Sequence, residues 1–146
     1  MALFQSSMAK RRETPPTAYV HGARMVSISK FTFTAAFAFA TDKIEMGLLP
    51  AGARVVGARL IGRNLGGANN ASLGLMSGEA GEPDNARTVG TQLFSAQAAQ
   101  NAEPTATTLA CLSIAPSDGH RGIGVTLSAD VAAGDRDLTL VLEYIF

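Results

Sequence analysis

The sequence predicts an all-β domain: an antiparallel β-sandwich or jelly roll with one short helix and an extended N-terminal arm. Three observations carry that expectation. Apolar residues recur at every second position in segment after segment, turn-forming residues punctuate the segments, and no strand–helix–strand rhythm appears that would build a parallel sheet. The chain has 146 residues, enough for one core without a metal or disulfide staple. The expected boundaries are an arm over residues 1–23 and a sandwich over residues 24–146.

The arm is set apart by Lys10, Arg11 and Arg12 in a row, followed by Thr14-Pro15-Pro16-Thr17. Adjacent prolines hold the backbone extended and remove two donors, so the stretch is neither a helix nor a central strand. Up to Arg24 it carries four bases against the single acid Glu13, whereas the whole chain balances 12 basic with 12 acidic residues. Such a terminus either stays loose or orders against a neighbouring subunit or an acidic surface. Lys10, Arg11, Arg12, Pro15 and Pro16 are therefore the candidate contact residues. Deleting residues 1–23 is expected to leave a folded domain.

From Arg24 onward the period is two. Val26 and Ile28 share one phase while Phe31, Phe33, Phe37 and Phe39 share the other. This predicts a strand with a bulge near Ser29-Lys30 and a buried phenylalanine face. Ile44, Met46 and Leu48 alternate next. Leu49-Pro50-Ala51-Gly52 is a turn, proline setting the backbone angle and glycine supplying positive φ. In the following strand Val56, Ala58 and Leu60 fall on one face, with Val55, Arg59 and Ile61 on the other.

Residues 64–70 are a loop by composition, Leu73 and Leu75 mark a short strand, and residues 79–85 read as an exposed acidic connection. Residues 91–100 hold neutral-to-good helix formers and are the expected helix. Three strands close the chain, over residues 109–114, 123–127 and 138–146, separated by turns at 115–119 and 132–135.

Composition narrows the function. Charged residues are 16% of the chain, against about 25% in a typical soluble protein. A surface so short of charge is sticky unless a partner covers part of it. The neutral balance argues against a nucleic-acid partner, and no apolar run of about 18 residues exists to span a membrane. No secretory signal is expected.

Chemistry is sparse. His21 and His120 have no metal-ligating neighbours at the right spacing, and Cys111 reads as a buried, inert thiol. Ser113, Asp118 and His120 are the letters of a triad without its geometry. Asp130, Asp135 and Asp137 crowd one loop but lack calcium-loop spacing. No catalytic, cofactor-binding or metal-ligating residue is assigned, and the chain does not read as an enzyme.

Three segments carry a family resemblance. Ala40-Thr41-Asp42-Lys43-Ile44-Glu45-Met46-Gly47-Leu48-Leu49-Pro50-Ala51-Gly52-Ala53-Arg54-Val55-Val56, then Leu73-Gly74-Leu75-Met76-Ser77-Gly78, then Gly124-Val125-Thr126-Leu127-Ser128-Ala129-Asp130-Val131-Ala132-Ala133-Gly134 continuing to Leu138-Thr139-Leu140, resemble strands and turns of capsid decoration (cement) proteins of tailed bacteriophage heads. The resemblance implies a host-cytoplasm product that joins the capsid exterior, gathers as a homodimer or homotrimer, and bridges major capsid protein subunits. The basic, proline-containing arm matches no motif of that family, but it fits a tether to the capsid or to a sister subunit.

Two other classes compete. A carbohydrate- or cell-surface-binding module of a phage fibre would present exposed aromatics, but the chain has no Trp and only Tyr19 and Tyr144. A cupin-type enzyme would need clustered histidines.

Overall fold

Eight strands and one short helix form among residues 2–12 and 23–146, which are those the computed structural model describes. The strands are β1 (Leu3–Gln5), β2 (Met25–Thr32), β3 (Lys43–Leu49), β4 (Arg54–Arg63), β5 (Asn70–Leu75), β6 (Phe94–Ala98), β7 (Arg121–Leu127) and β8 (Asp137–Ile145). The helix, α1 (Thr108–Leu112), falls between β6 and β7. One sheet has the order β1-β3-β7-β5-β6 and the other β2-β8-β4. The two sheets enclose one core, so the sandwich expected from the alternation is the architecture found. Every pairing is antiparallel except β1 with β3, which runs parallel from Leu3↔Lys43 to Gln5↔Glu45.

The core is built on β8, the central strand of the smaller sheet. Leu138, Leu140, Leu142 and Tyr144 are buried in one cluster with Ile44, Met46, Leu73, Ile123 and Val125 of the larger sheet. Each buried side chain of this size contributes about 1.5–3 kcal/mol, so this row anchors the fold. Tyr144 also stacks edge-on against Phe146, with ring centroids 5.8 Å apart. Burial pushes its phenol up to about 12. An unfolded tyrosine ionises near 10, so this contribution is intact below that pH and disappears as pH rises through about 12. Urea midpoints at pH 9 and pH 11.5 should therefore fall further for the wild-type protein than for Tyr144→Phe. Equal falls would show that the phenol does not report this burial.

The N-terminal residues depart from expectation. Leu3–Gln5 is already a strand, and the turn after it buries Ser6, Met8 and Ala9. Met8 packs with Leu48 and Ala80, the Ser6 hydroxyl donates to the Met46 carbonyl, and the Ala2 amide donates to Asp42 Oδ1 at 3.0 Å. Phe4 sits 5.9 Å from the rings of both Phe31 and Phe37. Residues 2–12 thus belong to the sandwich, because their apolar side chains find a sheet edge to cover. Deleting residues 1–23 would remove a strand rather than a separable arm. Residues 13–22, with Pro15, Pro16 and His21, lie outside the described residues.

Five local expectations are corrected. Residues 91–100 form no helix; Phe94–Ala98 is an edge strand paired to β5, with Ala96 at φ 50° in the irregularity between Ala71 and Leu73. Helix propensity there lacks an apolar stripe at helical spacing, and pairing overrides it. The helix instead lies where a strand over 109–114 was expected. The Thr107 hydroxyl caps it by accepting from the Ala110 amide, and only Cys111 of its residues is buried.

β2 has no bulge at Ser29-Lys30: its register runs unbroken from Met25↔Tyr144 to Thr32↔Asp137. The buried phase is Ser27, Ser29 and Phe33 with Phe31 half-buried, so the two serines face inward while Val26 and Ile28 face out. The strand ends at Thr32; Phe37 is buried through a bridge to Val131, but Phe39 is half exposed. In β4 a bulge between Val55 and Gly57 shifts the phase, so Val55 joins Ala58 and Leu60 in the core in place of Val56.

Candidate interaction surfaces

The outer faces of the two sheets are finished in opposite ways. On the larger sheet, Gly74 and Gly124 sit directly across from each other, and Glu45 lies across from Gly124 on β3. A Cβ on Gly74 would strike the Gly90 carbonyl, and one on Gly124 would strike Met76 and Val89. The missing side chains let residues 76–92 lie flat on the sheet.

That cover is fastened by a buried ion pair. The Arg87 guanidinium is 2% exposed and the Glu45 carboxylate 0%; Nη1 and Nη2 donate to Oε2 and Oε1 at 2.9 and 2.8 Å. Arg87 spends other donors on the Ser77 carbonyl at 2.7 Å and the Glu82 carbonyl at 2.8 Å. Glu45 also accepts from the Gly81 amide at 3.1 Å and from Gln5 Nε2 at 2.6 Å. Two fully desolvated charges are tolerable only when they are this heavily hydrogen-bonded, with four of the five guanidinium N–H groups engaged and each carboxylate oxygen accepting two bonds. A side chain at Gly122 would run into both partners, so glycine there clears the space. The clasp thus joins β1, β3 and the covering segment. Sequence reading missed it; the signal was a lone acid inside an otherwise apolar strand.

Among the described residues the smaller sheet has no such cover. Its outer face carries Val26, Ile28, Lys30 and Thr32 of β2, then Val141 and Glu143 of β8, then Arg59 and Ile61 of β4. Ile28 is 62% exposed and Val26 46%, and Ile28 lies across from Val141. Charges around this apolar strip are paired. Arg24 meets Glu143, and Arg59 meets Glu103 at 2.8 Å. Arg63 bridges Asp135 and Asp137, the latter also 3.4 Å from Lys30. The Arg63 guanidinium holds the Asp135 carboxyl below its usual range. On α1, Leu109 and Leu112 are also exposed, Leu109 at 81%.

Of the candidate contact residues, Lys10, Arg11 and Arg12 are exposed at the end of the N-terminal turn. Arg11 is held there at φ 56°, donating to the Ala80 carbonyl at 2.9 Å and lying 3.6 Å from Glu79. These three residues border residues 13–22, so the described structure brings the basic cluster together without Pro15 and Pro16.

Ser113, His120 and Asp130 are engaged locally. The Ser113 hydroxyl donates to the Ala110 carbonyl, His120 Nδ1 accepts from the Ala51 amide at 3.0 Å, and Asp130 accepts from the Phe39 amide. Cys111 is buried and its thiol is pushed up, chiefly by desolvation. Among the described residues no three His, Cys, Asp or Glu side chains are grouped to hold a metal ion. A shallow depression lined by Asn64, Gln100, Asp135 and Arg136 consists largely of exposed loop.

Among solved structures the chain is similar to the capsid of Ralstonia phage GP4, at 31% identity and TM-score 0.86, over 99% of this chain and 97% of that one. It is also similar to the capsid asymmetric unit of cyanophage Pam1, at 25% identity and TM-score 0.59, over 92% and 93% of the two chains. No family model and no curated protein matches it.

Proposed function

The chain belongs to a family of phage capsid-associated proteins and is a structural component of the virion, and from that premise we propose that it is a decoration, or cement, protein. In this reading copies of the chain oligomerise on the capsid exterior and bridge major capsid protein subunits, performing no chemistry of their own. The supporting observation is the unequal finish of the two faces. One is sealed by the chain's own covering segment and buried ion pair, while the other leaves Val26 and Ile28 facing solvent with its charges already paired. A face of that kind gains by association without stranding a charge.

The physics of a shell fits this role. A protein that binds only the assembled lattice stabilises it by mass action, and many copies on a repeating surface make modest interfaces effective. Lys10, Arg11 and Arg12, with Pro15 and Pro16 beyond them, are assigned to the tether on the capsid or a sister subunit.

Heads stripped of this protein test the reading. Added back, it should bind to a fixed copy number per head and raise the temperature at which the shells open. Lys10→Glu/Arg12→Glu should lower occupancy several-fold while leaving the fold unchanged. Failure of the wild-type protein to bind heads would overturn the cement role; unchanged occupancy of the double variant would remove the basic cluster from the contact.

A further inference from the structure

The two edges of the smaller sheet differ, and the difference can be read from backbone direction. On β4 the outward edge is closed. The Leu60 amide donates to the Pro104 carbonyl at 3.0 Å, the Gly62 amide to the Ala102 carbonyl at 3.1 Å, and the Ala106 amide to the Ala58 carbonyl at 2.9 Å. Since the N–H and C=O of a strand residue point the same way and alternate along the chain, Arg59 and Ile61 must direct theirs toward β8. The register then turns Leu138, Leu140 and Leu142 of β8 toward β2, where they meet Phe31, Ser29 and Ser27. Phe33 agrees, donating to the Arg136 carbonyl and accepting from the Gly134 amide. The amides and carbonyls of Val26, Ile28 and Lys30 therefore point away from the sheet. They have no partner among the described residues.

We propose that this open β2 edge pairs with the β2 edge of a second copy of the chain, antiparallel about a two-fold axis at Ile28, making one continuous sheet of the two smaller sheets. This rests on the homo-oligomeric part of the cement reading and names the surface that carries it. Three features select this occupant and this register.

With the axis at Ile28, Val26 of each copy lies across from Lys30 of the other. Every outward donor on Val26, Ile28 and Lys30 then meets an acceptor. The two Ile28 side chains, each 62% exposed alone, pack on each other between the flanking Val141 residues.

The charges also complement each other. Arg24 of one copy comes across from Thr32 of the other, beside its Asp137, and Lys30 comes across from Val26, beside Glu143. Each end of the joint becomes an alternating quartet of Arg24 and Glu143 from one copy with Lys30 and Asp137 from the other. Moving the axis to Ser27 would set Arg24 directly against Lys30, a like-charge pair; moving it to Ser29 would bury Ile28 against Lys30. A long edge with apolar side chains is an exposed template unless something pairs with it.

Light scattering on the isolated protein should give twice the 15.1 kDa chain mass, and Ile28→Lys should halve it without loss of folded signal. The register has its own test. Paired Ile28 residues lie roughly 5.5 Å apart at Cα, within disulfide range, whereas two Lys30 residues lie about 13 Å apart along the strands. Ile28→Cys should thus oxidise to a covalent dimer and Lys30→Cys should not, with buried Cys111 silent in both. A monomeric or trimeric wild type, a dimer that survives Ile28→Lys, or cross-linking through Lys30→Cys alone would each overturn the proposal. A monomer whose binding to heads is abolished by Ile28→Lys would also overturn it, assigning the edge to a capsid protein and leaving the cement role intact. A β2-linked dimer indifferent to heads would sink the cement role alone.

Discussion

Arg87→Met should lower unfolding free energy by about 3–5 kcal/mol, the usual cost of leaving one member of a buried ion pair without its counter-charge. Methionine roughly keeps the volume but strands the Glu45 carboxylate, which retains only Gln5 and the Gly81 amide as donors. It also frees the Ser77 and Glu82 carbonyls, so the covering segment loses its fastening on the sheet. The double variant Glu45→Leu/Arg87→Met removes both charges and should recover more than half of the loss, because the desolvation penalty vanishes with them. Urea unfolding of wild type, the single variant and the double variant measures all three. A single-variant loss below ~1 kcal/mol would mean that water reaches the carboxylate and that the pair is not the clasp.

The clasp also shows where sequence reading stops. β8 was legible because both of its neighbours belong to the same sheet and one of its faces is the core, so Leu138, Leu140, Leu142 and Tyr144 repeat without interruption. β3 is buried on both faces, so the alternation of Ile44, Met46 and Leu48 told nothing about Glu45 between them. Its partner stands 42 residues away in a segment whose acids and proline read as solvent-exposed. Only the fold brings the two together.

β2 failed for a different reason. Ser27 and Ser29 are small enough to sit inside against the larger sheet, where Gly47 leaves room beside Ser29, while the aliphatic residues take the outer face. A period-two pattern locates a strand, but hydrophobicity identifies the core face only when the other face meets water. In this chain the apolar outer face is the very feature assigned to a partner. Of the residues proposed as a tether, Lys10, Arg11 and Arg12 were legible as an exposed basic run, whereas the docking of Phe4 and Met8 before them depends on a sheet edge the sequence does not display.

The phenylalanine row supplies the sharpest test of that distinction. Phe33 is 1% exposed and packs edge-on against Phe31 at 5.1 Å and Phe37 at 6.0 Å, whereas Phe39, in the same sequence phase, is 50% exposed. Phe33→Ala should therefore cost about 3–5 kcal/mol, through lost transfer energy plus the cavity left among rings that cannot close over it. Phe39→Ala should change stability by less than ~0.5 kcal/mol, as a surface substitution does. The paired measurement separates a core from an interface. If Phe33→Ala unfolded the isolated domain no more readily than Phe39→Ala but abolished its self-association, the ring cluster would be holding subunits together, and the sandwich core would have to rest on β8 and its neighbours alone.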